Sequence, residues 1–436
     1  MHYDYDVIVA GGGPAGSSTA NFLRQRGRTV LVLEKEKFPR FHIGESLLPF
    51  ANDVWKELGV LEQMDATYIH KPGAMFVHEE SGSTFTYYFD TAIRPGRPYA
   101  YQVKRADFDK MLLDEARRKG AEVREETRVD DVTLGAAGVV ARCTPKEGAP
   151  YEVTAKFFVD ATGRDALMAN RHRLKEPDGL ITTNVAVHCM FKNVDRTGAL
   201  DEGNIIIGLF DGGWYWAIPF KDGDTSVGFV FEKSFTKINR GSRPEEMFEK
   251  ALESTPHLRG RLANATKILE VGSQANWSYR CRQFYSERML MVGDAAAFVD
   301  PLFSTGVLLA VNGAKFAADR IDGAITDDDF APERFAGYQA DYQRGMDIFK
   351  TLVHEFYAQN LRKVLMVSAR NPTVCSVITS MLAGDVYKPS MWHSIVRQGF
   401  SHTAEAEGVP GVSSSRELLA QAEARKRAPK TPPQGS

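Results

Sequence analysis

A glycine-rich turn between a buried strand and a helix constrains the fold of this chain most. Tyr5–Ala10 is a short apolar run with Val and Ile, and it ends in the spacing Gly11-x-Gly13-x-x-Gly16. A helical pattern follows over 14–26, with apolar side chains on one side. Glycines at this spacing, after a strand and at the start of a helix, indicate a loop that binds the pyrophosphate of a dinucleotide.

A second strand completes the unit. Thr29–Leu33 is apolar and ends at Glu34, so the first part of the chain predicts a βαβ motif. Gly11 permits a tight turn, Gly13 lets the backbone approach a phosphate, and Gly16 permits close packing of helix on strand. Because Glu34 ends the second strand, its carboxylate can accept hydrogen bonds from ribose hydroxyls. The sequence therefore predicts a Rossmann-like dinucleotide-binding domain.

The composition is that of an ordinary soluble globular protein, with 43% hydrophobic and 25% charged residues among 436. The formal net charge of -2 gives no reason to expect a nucleic-acid or membrane partner. No apolar run approaches the roughly 18–20 residues that span a bilayer, and the N-terminus has no signal-peptide pattern, so we expect a cytoplasmic protein. The cysteines have no metal-ligand spacing, no metal is expected, and reduced, mostly buried thiols are predicted at Cys143, Cys189, Cys281 and Cys375.

Two further apolar runs resemble strands that are buried on both faces of a parallel sheet. The first, 156–159, leads into Asp160, and the second, 289–292, leads into Gly293 and Asp294. Between them, 182–231 alternates apolar and polar residues with aromatic residues and glycine breaks. This alternation predicts antiparallel strands that form a second sheet.

The C-terminal part of the chain has helical spacing over 305–321 and again from 338 to about 397, with an interruption at Asn371-Pro372. The predicted fold is α/β, with the Rossmann-like domain, a second antiparallel β-sheet domain for substrate and a C-terminal helical region. The stretch 420–436 is rich in Lys, Arg, Pro and Gln and predicts a disordered tail. The predicted domains are the discontinuous dinucleotide-binding domain at 1–72, 101–180 and 275–337, the β-sheet substrate domain at 73–100 and 181–274, a helical cap at 338–419 and the tail at 420–436.

Three segments indicate which dinucleotide is bound. Val292–Ala296 resembles the second flavin motif of the aromatic hydroxylase superfamily, in which the Asp contacts the ribityl chain. Asp160–Arg164 resembles the DG motif of that superfamily, and Arg105 matches its arginine near the flavin. Because all three occur in the right order, the resemblance implies that the N-terminal domain binds FAD, not NAD. It assigns to FAD binding Gly11, Gly13, Ala15, Gly16, Glu34, Lys35, Arg40, Ser46, Arg105, Asp160, Gly293, Asp294, Pro301 and Gly306.

Local motifs must distinguish among the chemistries that this flavoprotein fold supports. Gly213–Pro219 contains WxWxIP, Phe298–Gly306 fits FxxPxxSxG, and Phe41–Pro49 contains an early GES-L-P segment. From residue 1 to about residue 400 the chain therefore resembles the flavin-dependent halogenases. Aromatic monooxygenases and geranylgeranyl-reductase-like enzymes share the flavin motifs but lack the full combination, which also includes Lys71. A non-catalytic flavin-binding protein is the third alternative.

The halogenase resemblance implies that reduced FAD, oxygen and a halide give hypohalous acid, which must reach the substrate through a channel. Two rigid indoles on one face of a strand, Trp214 and Trp216, could form a wall between flavin and substrate. The resemblance assigns relay of the oxidant to Lys71, whose amine in an apolar channel would have a lowered pKa and a usable lone pair. It names Ser304 as a second catalytic residue. It assigns flavin–substrate separation to Trp214, Trp216, Pro219 and Phe303.

The resemblance implies that the backbone amides of Thr305 and Gly306 bind the halide, and a helix N-terminus is physically suited to a small anion. Phe303 stands where the tryptophan-halogenating branch has an acidic residue. Without that carboxylate, regioselective activation of an indole is not expected, whereas a phenol or pyrrole is activated by its own heteroatom. The sequence is therefore similar to the phenol- and pyrrole-halogenating branch.

The expected partners follow from this branch. No second nucleotide-binding signature for NADPH is visible, so a separate flavin reductase is expected to supply reduced FAD. The expected substrates are chloride or bromide and a small electron-rich aromatic ring. Some members of the branch halogenate a ring that is tethered to an acyl or peptidyl carrier protein, and a free and a tethered substrate both remain open.

Overall fold

The computed structural model describes residues 3–94, 96–177, 184–275, 278–367, 371–388 and 414–427. Within these ranges an eight-stranded sheet forms the first layer, with parallel pairing through its centre. Its strands lie in the order Tyr285–Ser286, Met289–Met291, Tyr151–Asp160, Tyr5–Ala10, Val30–Leu33 and Glu122–Arg124. An antiparallel hairpin, Thr127–Gly135 and Gly138–Pro145, pairs with the first half of Tyr151–Asp160.

The predicted βαβ unit is confirmed. Val7, Ile8 and Val9 of the first strand are fully buried, as expected for a central strand of a parallel sheet that is covered on both faces. The helix Pro14–Gln25 starts with proline, whose fixed φ suits the first helical turn. It packs against the helices Arg105–Arg118 and Thr305–Asp327.

The parallel direction of the central strands brings the functional segments together. The strands ending at Ala10, Leu33, Asp160 and Met291 all run in one direction, so their carboxyl ends meet at one edge of the sheet. Each is followed by a segment that the sequence analysis singled out. Ligands bind at this edge in doubly wound sheets, and a large cavity lies at this edge here.

The second sheet also has eight strands within the described ranges. Their order is Thr266–Lys267, Val185–Lys192, Thr225–Phe231, Gly213–Pro219, Ile205–Phe210, Gly73–His78 and Ser83–Tyr88, and Gly272–Ala275 also pairs with Val185–Lys192. The pairing is antiparallel except between Gly73–His78 and Ile205–Phe210, which is parallel. A parallel pair is possible there because more than a hundred residues connect the two strands. The sheet combines residues from both segments of the proposed substrate domain.

The α-helices surround the two sheets. They are Pro14–Gln25, Asn52–Leu58, Leu61–Thr67, Arg105–Arg118, Leu167–Arg171, Lys233–Ile238, Pro244–Glu253, Pro256–Arg261, Thr305–Asp327, Ala336–Tyr357, Asn360–Val367, Pro372–Leu382 and Ser415–Arg427. Two small sheets complete the fold, one of Lys175–Pro177, Tyr279–Cys281 and Ala297–Phe298 and one of Ile69–Lys71 and Ala100–Gln102. The parts of the predicted helical cap at 368–370 and 389–413 lie outside the described residues.

The prediction of a disordered tail from residue 420 is wrong as far as Arg427, because Ser415–Arg427 is a helix. Its first turn is fixed by long-range contacts: Leu418 is buried, and the Ser415 hydroxyl accepts a hydrogen bond from the backbone N–H of Tyr88 at 2.8 Å. The segment is rich in Ala, Glu, Leu and Arg, which favour a helix once one end is held. Residues 428–436 lie outside the described part of the chain.

Membrane-spanning helices and the state of the cysteines are the remaining features of the fold that the sequence analysis addressed. Over the described ranges, no helix is both long enough and apolar enough to cross a bilayer. All four cysteines lie within those ranges, their thiols are buried, and none forms a disulfide. The predicted burial of the thiols is therefore confirmed.

Candidate active site

A cavity of about 750 Å³ lies at the carboxyl edge of the parallel sheet and extends to the second sheet. It is lined by turns of the first sheet, by strand Gly213–Pro219 of the second and by the start of helix Thr305–Asp327. The predicted residues in its lining are Gly11, Gly13, Ala15, Glu34, Lys35, Arg40, Ser46, Arg105, Trp214, Trp216, Asp294, Pro301, Ser304, Thr305 and Gly306.

The three glycines of the first turn have different physical roles. A Cβ on Gly11 would lie 2.1 Å from the Ala161 carbonyl oxygen, and one on Gly16 would lie 1.9 Å from the Gly11 carbonyl oxygen. Both glycines are therefore required by packing of the backbone itself. A Cβ on Gly13 would meet only the Arg40 guanidinium, at 3.5 Å, and would otherwise project into open space. The protein alone does not explain the glycine at position 13, whereas a ligand in the cavity would.

Glu34 is held rigidly at the end of its strand. Its Oε2 accepts from the Gly12 N–H at 2.6 Å and its Oε1 accepts from the Glu36 N–H at 2.8 Å. Burial raises the pKa of the Glu34 carboxyl, and these two backbone hydrogen bonds oppose that shift. The remaining lone pairs of this oriented carboxyl face the cavity and can accept from hydroxyl groups.

Two arginines on the cavity wall share one buried carboxylate. Arg105 donates from Nε and Nη2 to Asp109 at 2.7 and 3.0 Å, and Arg40 donates to the same carboxylate at 3.1 Å. Arg105 also donates to the Ile43 carbonyl at 2.9 Å. Arg40 is also paired with Glu36, with 2.9 Å between Nε and Oε2, so two carboxylates balance the two guanidiniums. The guanidinium N–H groups that line the cavity can donate charge-assisted hydrogen bonds to an anionic ligand.

Asp294 is an acidic residue in the same cavity lining as Arg105. It follows strand Met289–Met291 and lies in the lining of the cavity. Burial raises the pKa of Asp294 to about 6, and the positive charge of Arg105 opposes the shift. A carboxyl in this position can accept from the hydroxyls of a bound polyol chain.

The start of helix Thr305–Asp327 points into the cavity. Ser304 precedes the helix in a left-handed conformation, with φ of 59°, which turns the chain sharply into the first helical residues. The hydroxyl of Thr305 is fully buried and has no hydrogen-bond partner among the described residues. The N-terminal N–H groups of a helix lack intrahelical acceptors. Together these donors form a small site that suits an anion.

Trp214 and Trp216 lie side by side on the same face of strand Gly213–Pro219. Their ring centroids are 6.0 Å apart, both indoles are buried, and both line the cavity. Trp216 lies over Gly228 of the neighbouring strand, where a Cβ would come within 2.2 Å of the indole. The indole of Trp216 donates to the Ser226 hydroxyl at 3.2 Å. The pair forms a rigid aromatic wall on the side of the second sheet.

Lys71 lies at the end of strand Ile69–Lys71 and is only 2% exposed. Its amine donates to the Leu47 carbonyl at 3.0 Å and lies 5.4 Å from the centroid of the Phe89 ring. Among the described residues no carboxylate forms an ion pair with it. Burial lowers the pKa of the Lys71 amine to about 7. A large fraction of this amine is therefore neutral at physiological pH, which is unusual for lysine.

The comparisons with known proteins agree with this geometry. A family model described as tryptophan halogenase matches residues 6–97 and 90–364, which is most of the chain. The chain belongs to the flavin-dependent halogenases. It is 31% identical over 408 residues to a 1H-pyrrole-2-carbonyl-[peptidyl-carrier protein] chlorinase of Pseudomonas fluorescens. The aligned region covers 88% of this chain and 90% of the relative.

A second relative and a solved structure extend this similarity. The halogenase is 31% identical over 392 residues to a 1H-pyrrole-2-carbonyl-[peptidyl-carrier protein] brominase of Pseudoalteromonas luteoviolacea, with 89% of this chain and 94% of the relative covered. The structure of the flavin-dependent brominase Bmp2 superposes with a TM-score of 0.81 at 28% identity, over 97% of this chain and all of that one. The predicted α/β fold with a flavin-binding domain is confirmed.

FAD is the cofactor of this halogenase and a halide is its cosubstrate. The residues of the cavity fit FAD. The open space beside Gly13 leaves room for a pyrophosphate, Arg40 and Arg105 place guanidinium donors next to it, and Glu34 and Asp294 can accept from hydroxyls. The enzyme is an oxidoreductase.

Several predicted residues of the halogenase lie outside the cavity lining. These are Gly16, Lys71, Asp160, Pro219, Gly293 and Phe303. Asp160 is fully buried and accepts from the N–H groups of Thr162 and Met168 at 3.0 and 2.7 Å, so it shapes the turn after its strand. A Cβ on Gly293 would lie 2.7 Å from the Ala15 Cβ, which gives Gly293 a packing role. Phe303 packs edge-on against Phe356 behind the loop.

The structure also places residues at the site that the sequence analysis missed. Glu45 is buried in the cavity wall, and its Oε2 has no partner among the described residues. Burial raises the pKa of Glu45 to about 7, while the Ser226 hydroxyl and the charge of Arg105 oppose the shift. The sequence signal that could have identified Glu45 is its position between Gly44 and Ser46 in the GES-L-P segment. Asp109 could have been found from its i,i+4 spacing to Arg105.

The lowered pKa of Lys71 leads to a prediction about stability. Between a folded pKa of about 7 and the usual 10.5, the unfolded chain binds more protons at Lys71 than the folded chain does. Lys71 therefore destabilises the fold most below pH 7, and this cost falls as pH rises through that window. Lys71→Met should raise the free energy of unfolding by up to about 4 kcal/mol near pH 6.

Urea unfolding of both proteins across this pH window measures the effect. The difference between Lys71→Met and the wild type should shrink steadily as pH rises from about 7 and approach zero only above pH 10.5, where the amine is neutral in both states. Lys119→Met is the matched control, since Lys119 also donates to a backbone carbonyl but is paired with Glu115. A difference between Lys71→Met and the wild type that does not change with pH would contradict the lowered pKa.

Proposed function

We propose that this halogenase transfers chlorine or bromine to a phenol or pyrrole ring, and that Lys71 relays the halogen from hypohalous acid. The observation that carries the proposal is a buried lysine with a pKa of about 7, held by the backbone carbonyl of Leu47 next to the cavity residue Ser46. A lysine placed for structural reasons alone would reach solvent or form an ion pair.

The residues around the cavity divide into those that hold FAD and those that hold the halide. Gly13, Arg40 and Arg105 would bind the pyrophosphate region, and Glu34 and Asp294 would bind hydroxyls. FAD, when reduced and supplied with oxygen, provides the oxidising equivalents that convert a halide into hypohalous acid. The other predicted FAD residues in the lining would shape the same surface; they are Gly11, Ala15, Lys35, Ser46, Pro301 and Gly306.

The halide would bind at the start of helix Thr305–Asp327. The backbone N–H groups of Thr305 and Gly306 and the unpartnered Thr305 hydroxyl are the donors available there. Ser304 is the residue whose left-handed conformation directs these groups into the cavity, which supports its assignment to the catalytic site. The Trp214 and Trp216 indoles would keep an aromatic substrate away from the flavin.

The relay step starts from the neutral form of the Lys71 amine. Lys71-NH₂ attacks the halogen of hypohalous acid, the N–halogen bond forms, the halogen–oxygen bond breaks, and the amine proton leaves with hydroxide as water. A ring carbon of the substrate then takes the halogen as an electrophile, and the ring proton returns to the nitrogen. An amine that is protonated has no lone pair for the first step, so a pKa near 7 is required.

The substrate class is inferred from Phe303 and from the relatives. Phe303 supplies no carboxylate to activate an indole, so a ring that is activated by its own heteroatom is favoured. The chlorinase and brominase named above act, by their descriptions, on pyrrole-2-carbonyl groups that are attached to a peptidyl carrier protein. We therefore propose a pyrrole or phenol substrate that is tethered to a carrier protein, with reduced FAD supplied by a separate flavin reductase.

Product analysis with supplied reduced FAD tests the proposal. The enzyme is given pyrrole-2-carbonyl carrier protein, a carrier-tethered phenol, the free acids or free tryptophan, each with chloride, with bromide or without halide. The expected result is halide-dependent halogenation of a carrier-tethered pyrrole or phenol, at least about tenfold faster than of the free acid. Efficient regiospecific halogenation of free tryptophan would contradict the assigned substrate class. Oxygenated products formed without halide would favour the monooxygenase alternative.

A further inference from the structure

The hydroxyl of Tyr357 links two of the halogenase motifs, Gly213–Pro219 and Phe298–Gly306. The Trp214 indole N–H donates to the Tyr357 hydroxyl at 3.0 Å, and the Tyr357 hydroxyl donates to Asp300 Oδ2 at 3.0 Å. Trp214 and Asp300 are buried, and Tyr357 lies at the end of helix Ala336–Tyr357, far from both in the sequence. No motif noted in the sequence contains Tyr357.

The hydroxyl group is suited to this position by its chemistry. An indole N–H can only donate, and an ionised carboxylate can only accept. A hydroxyl between them accepts from the first and donates to the second, so both hydrogen bonds are made at once. Burial and the charge of Asp300 raise the pKa of Tyr357 well above its usual value, which keeps the donated proton in place.

Asp300 in turn fixes the loop that forms the halide site. Its Oδ1 accepts from the Leu302 N–H at 3.1 Å and caps the short helix Pro301–Phe303. That helix ends at Ser304, where the chain turns into Thr305 and the N-terminus of the long helix. The geometry of the halide loop therefore depends on the carboxylate that Tyr357 contacts.

We propose that Tyr357 is a positioning residue that fixes the Trp214 indole of the aromatic wall relative to the halide loop, residues 300–306. This inference rests on the proposed separating role of the wall. When the hydroxyl links the two, the indole cannot rotate away from the loop without breaking a buried hydrogen bond. Without it, a gap can open along the wall, and hypohalous acid reaches solvent before it reaches Lys71. Arg362 stacks on Phe356 at 4.3 Å and keeps the end of the helix in place.

Tyr357→Phe removes both hydrogen bonds and keeps the ring. Tyr338→Phe is the matched control, because Tyr338 is a buried tyrosine of the same helix whose hydroxyl donates to the Met291 carbonyl at 2.8 Å. Halogenated product is measured per reduced FAD oxidised. Tyr357→Phe should lower this ratio roughly tenfold, as the loss of two hydrogen bonds suggests, with FAD oxidation unchanged. Tyr338→Phe should leave the ratio within about twofold of the wild type.

The indole N–H signals of isotope-labelled protein test the contact without any turnover. The Trp214 signal is identified by its absence in Trp214→Phe. It should shift, and exchange with deuterated water about tenfold or more faster, in Tyr357→Phe but not in Tyr338→Phe. In the Trp214→Phe background, Tyr357→Phe should cause a smaller further loss of product ratio, because the two act through one bond.

The outcomes separate this inference from the proposed function. A wild-type enzyme that oxidises reduced FAD with halide but forms no halogenated product contradicts the proposed function and this inference with it. Normal product ratios in both Tyr357→Phe and wild type contradict only the positioning role. An unchanged Trp214 signal in Tyr357→Phe contradicts the contact itself. If Tyr357→Phe does not fold, Trp214→Phe alone must show the lowered product ratio, and a normal ratio there overturns the inference.

Discussion

Lys71→Ala should bind FAD and oxidise reduced FAD at the wild-type rate, yet form on the order of a thousandfold less halogenated product. Lys71 does not line the cavity that fits FAD, and its contacts are the Leu47 carbonyl and the Phe89 ring. Removing its side chain should therefore leave the flavin site intact. Hypohalous acid would form as before, but without a positioned amine it would be lost to water.

The size of this effect follows from positioning. An amine held next to the substrate reacts at an effective concentration that no dissolved amine can match, and such positioning can contribute on the order of 7 kcal/mol or more. Free lysine or ammonia in the buffer should therefore restore little product to Lys71→Ala. Product and released oxidant are measured together, the first by mass spectrometry and the second with a chromogenic trap.

Two variants test whether the lone pair of the Lys71 amine is needed, and not only its positive charge or the packing of its side chain. Lys71→Arg should fail like Lys71→Ala, because a guanidinium stays protonated and offers no nucleophilic lone pair. Lys119→Ala is the control, since Lys119 also donates to a backbone carbonyl, that of Leu58, but is paired with Glu115. Near-normal product from Lys71→Arg would show that Lys71 does not relay the halogen through its amine.

The FAD-binding half of the fold could be predicted because its signals are local. The strand Tyr5–Ala10, the glycine turn and the helix Pro14–Gln25 lie within a short segment, and each is determined by hydrophobic period and backbone freedom. The burial of Lys71 was also expected, but only from the resemblance, because the nearby sequence contains nothing that shows which groups would surround its amine. The structure shows that the surrounding groups come from two other segments, at Leu47 and Phe89.

Other parts of the site could not be predicted because they depend on long-range packing. Tyr357 reaches Trp214 and Asp300 only after helix Ala336–Tyr357 has packed against helix Thr305–Asp327. Glu45 acquires its raised pKa from burial by distant strands. The same reason explains the tail: composition favoured disorder, but Ser415 and Leu418 find partners more than three hundred residues away, near Tyr88.

Gly13→Val should fold normally and lose FAD, whereas Gly16→Val should not fold. At position 13 the backbone has a φ of -68°, which any residue adopts, and the added side chain enters the open cavity. At position 16 the first added carbon would lie 1.9 Å from a backbone oxygen that cannot move without breaking the turn. The two glycines of one motif are thus required for different reasons, one by the ligand and one by the fold.

The ratio of flavin to protein absorbance, together with a thermal melt, measures the difference. For Gly13→Val we expect a melting transition like that of the FAD-free wild type and FAD affinity lower by about a hundredfold, since the valine occupies the space that a pyrophosphate needs. Gly260→Val is the control, because a side chain there meets open space outside the cavity lining and should leave FAD bound. Stoichiometric FAD in purified Gly13→Val would mean that the pyrophosphate does not bind at this turn.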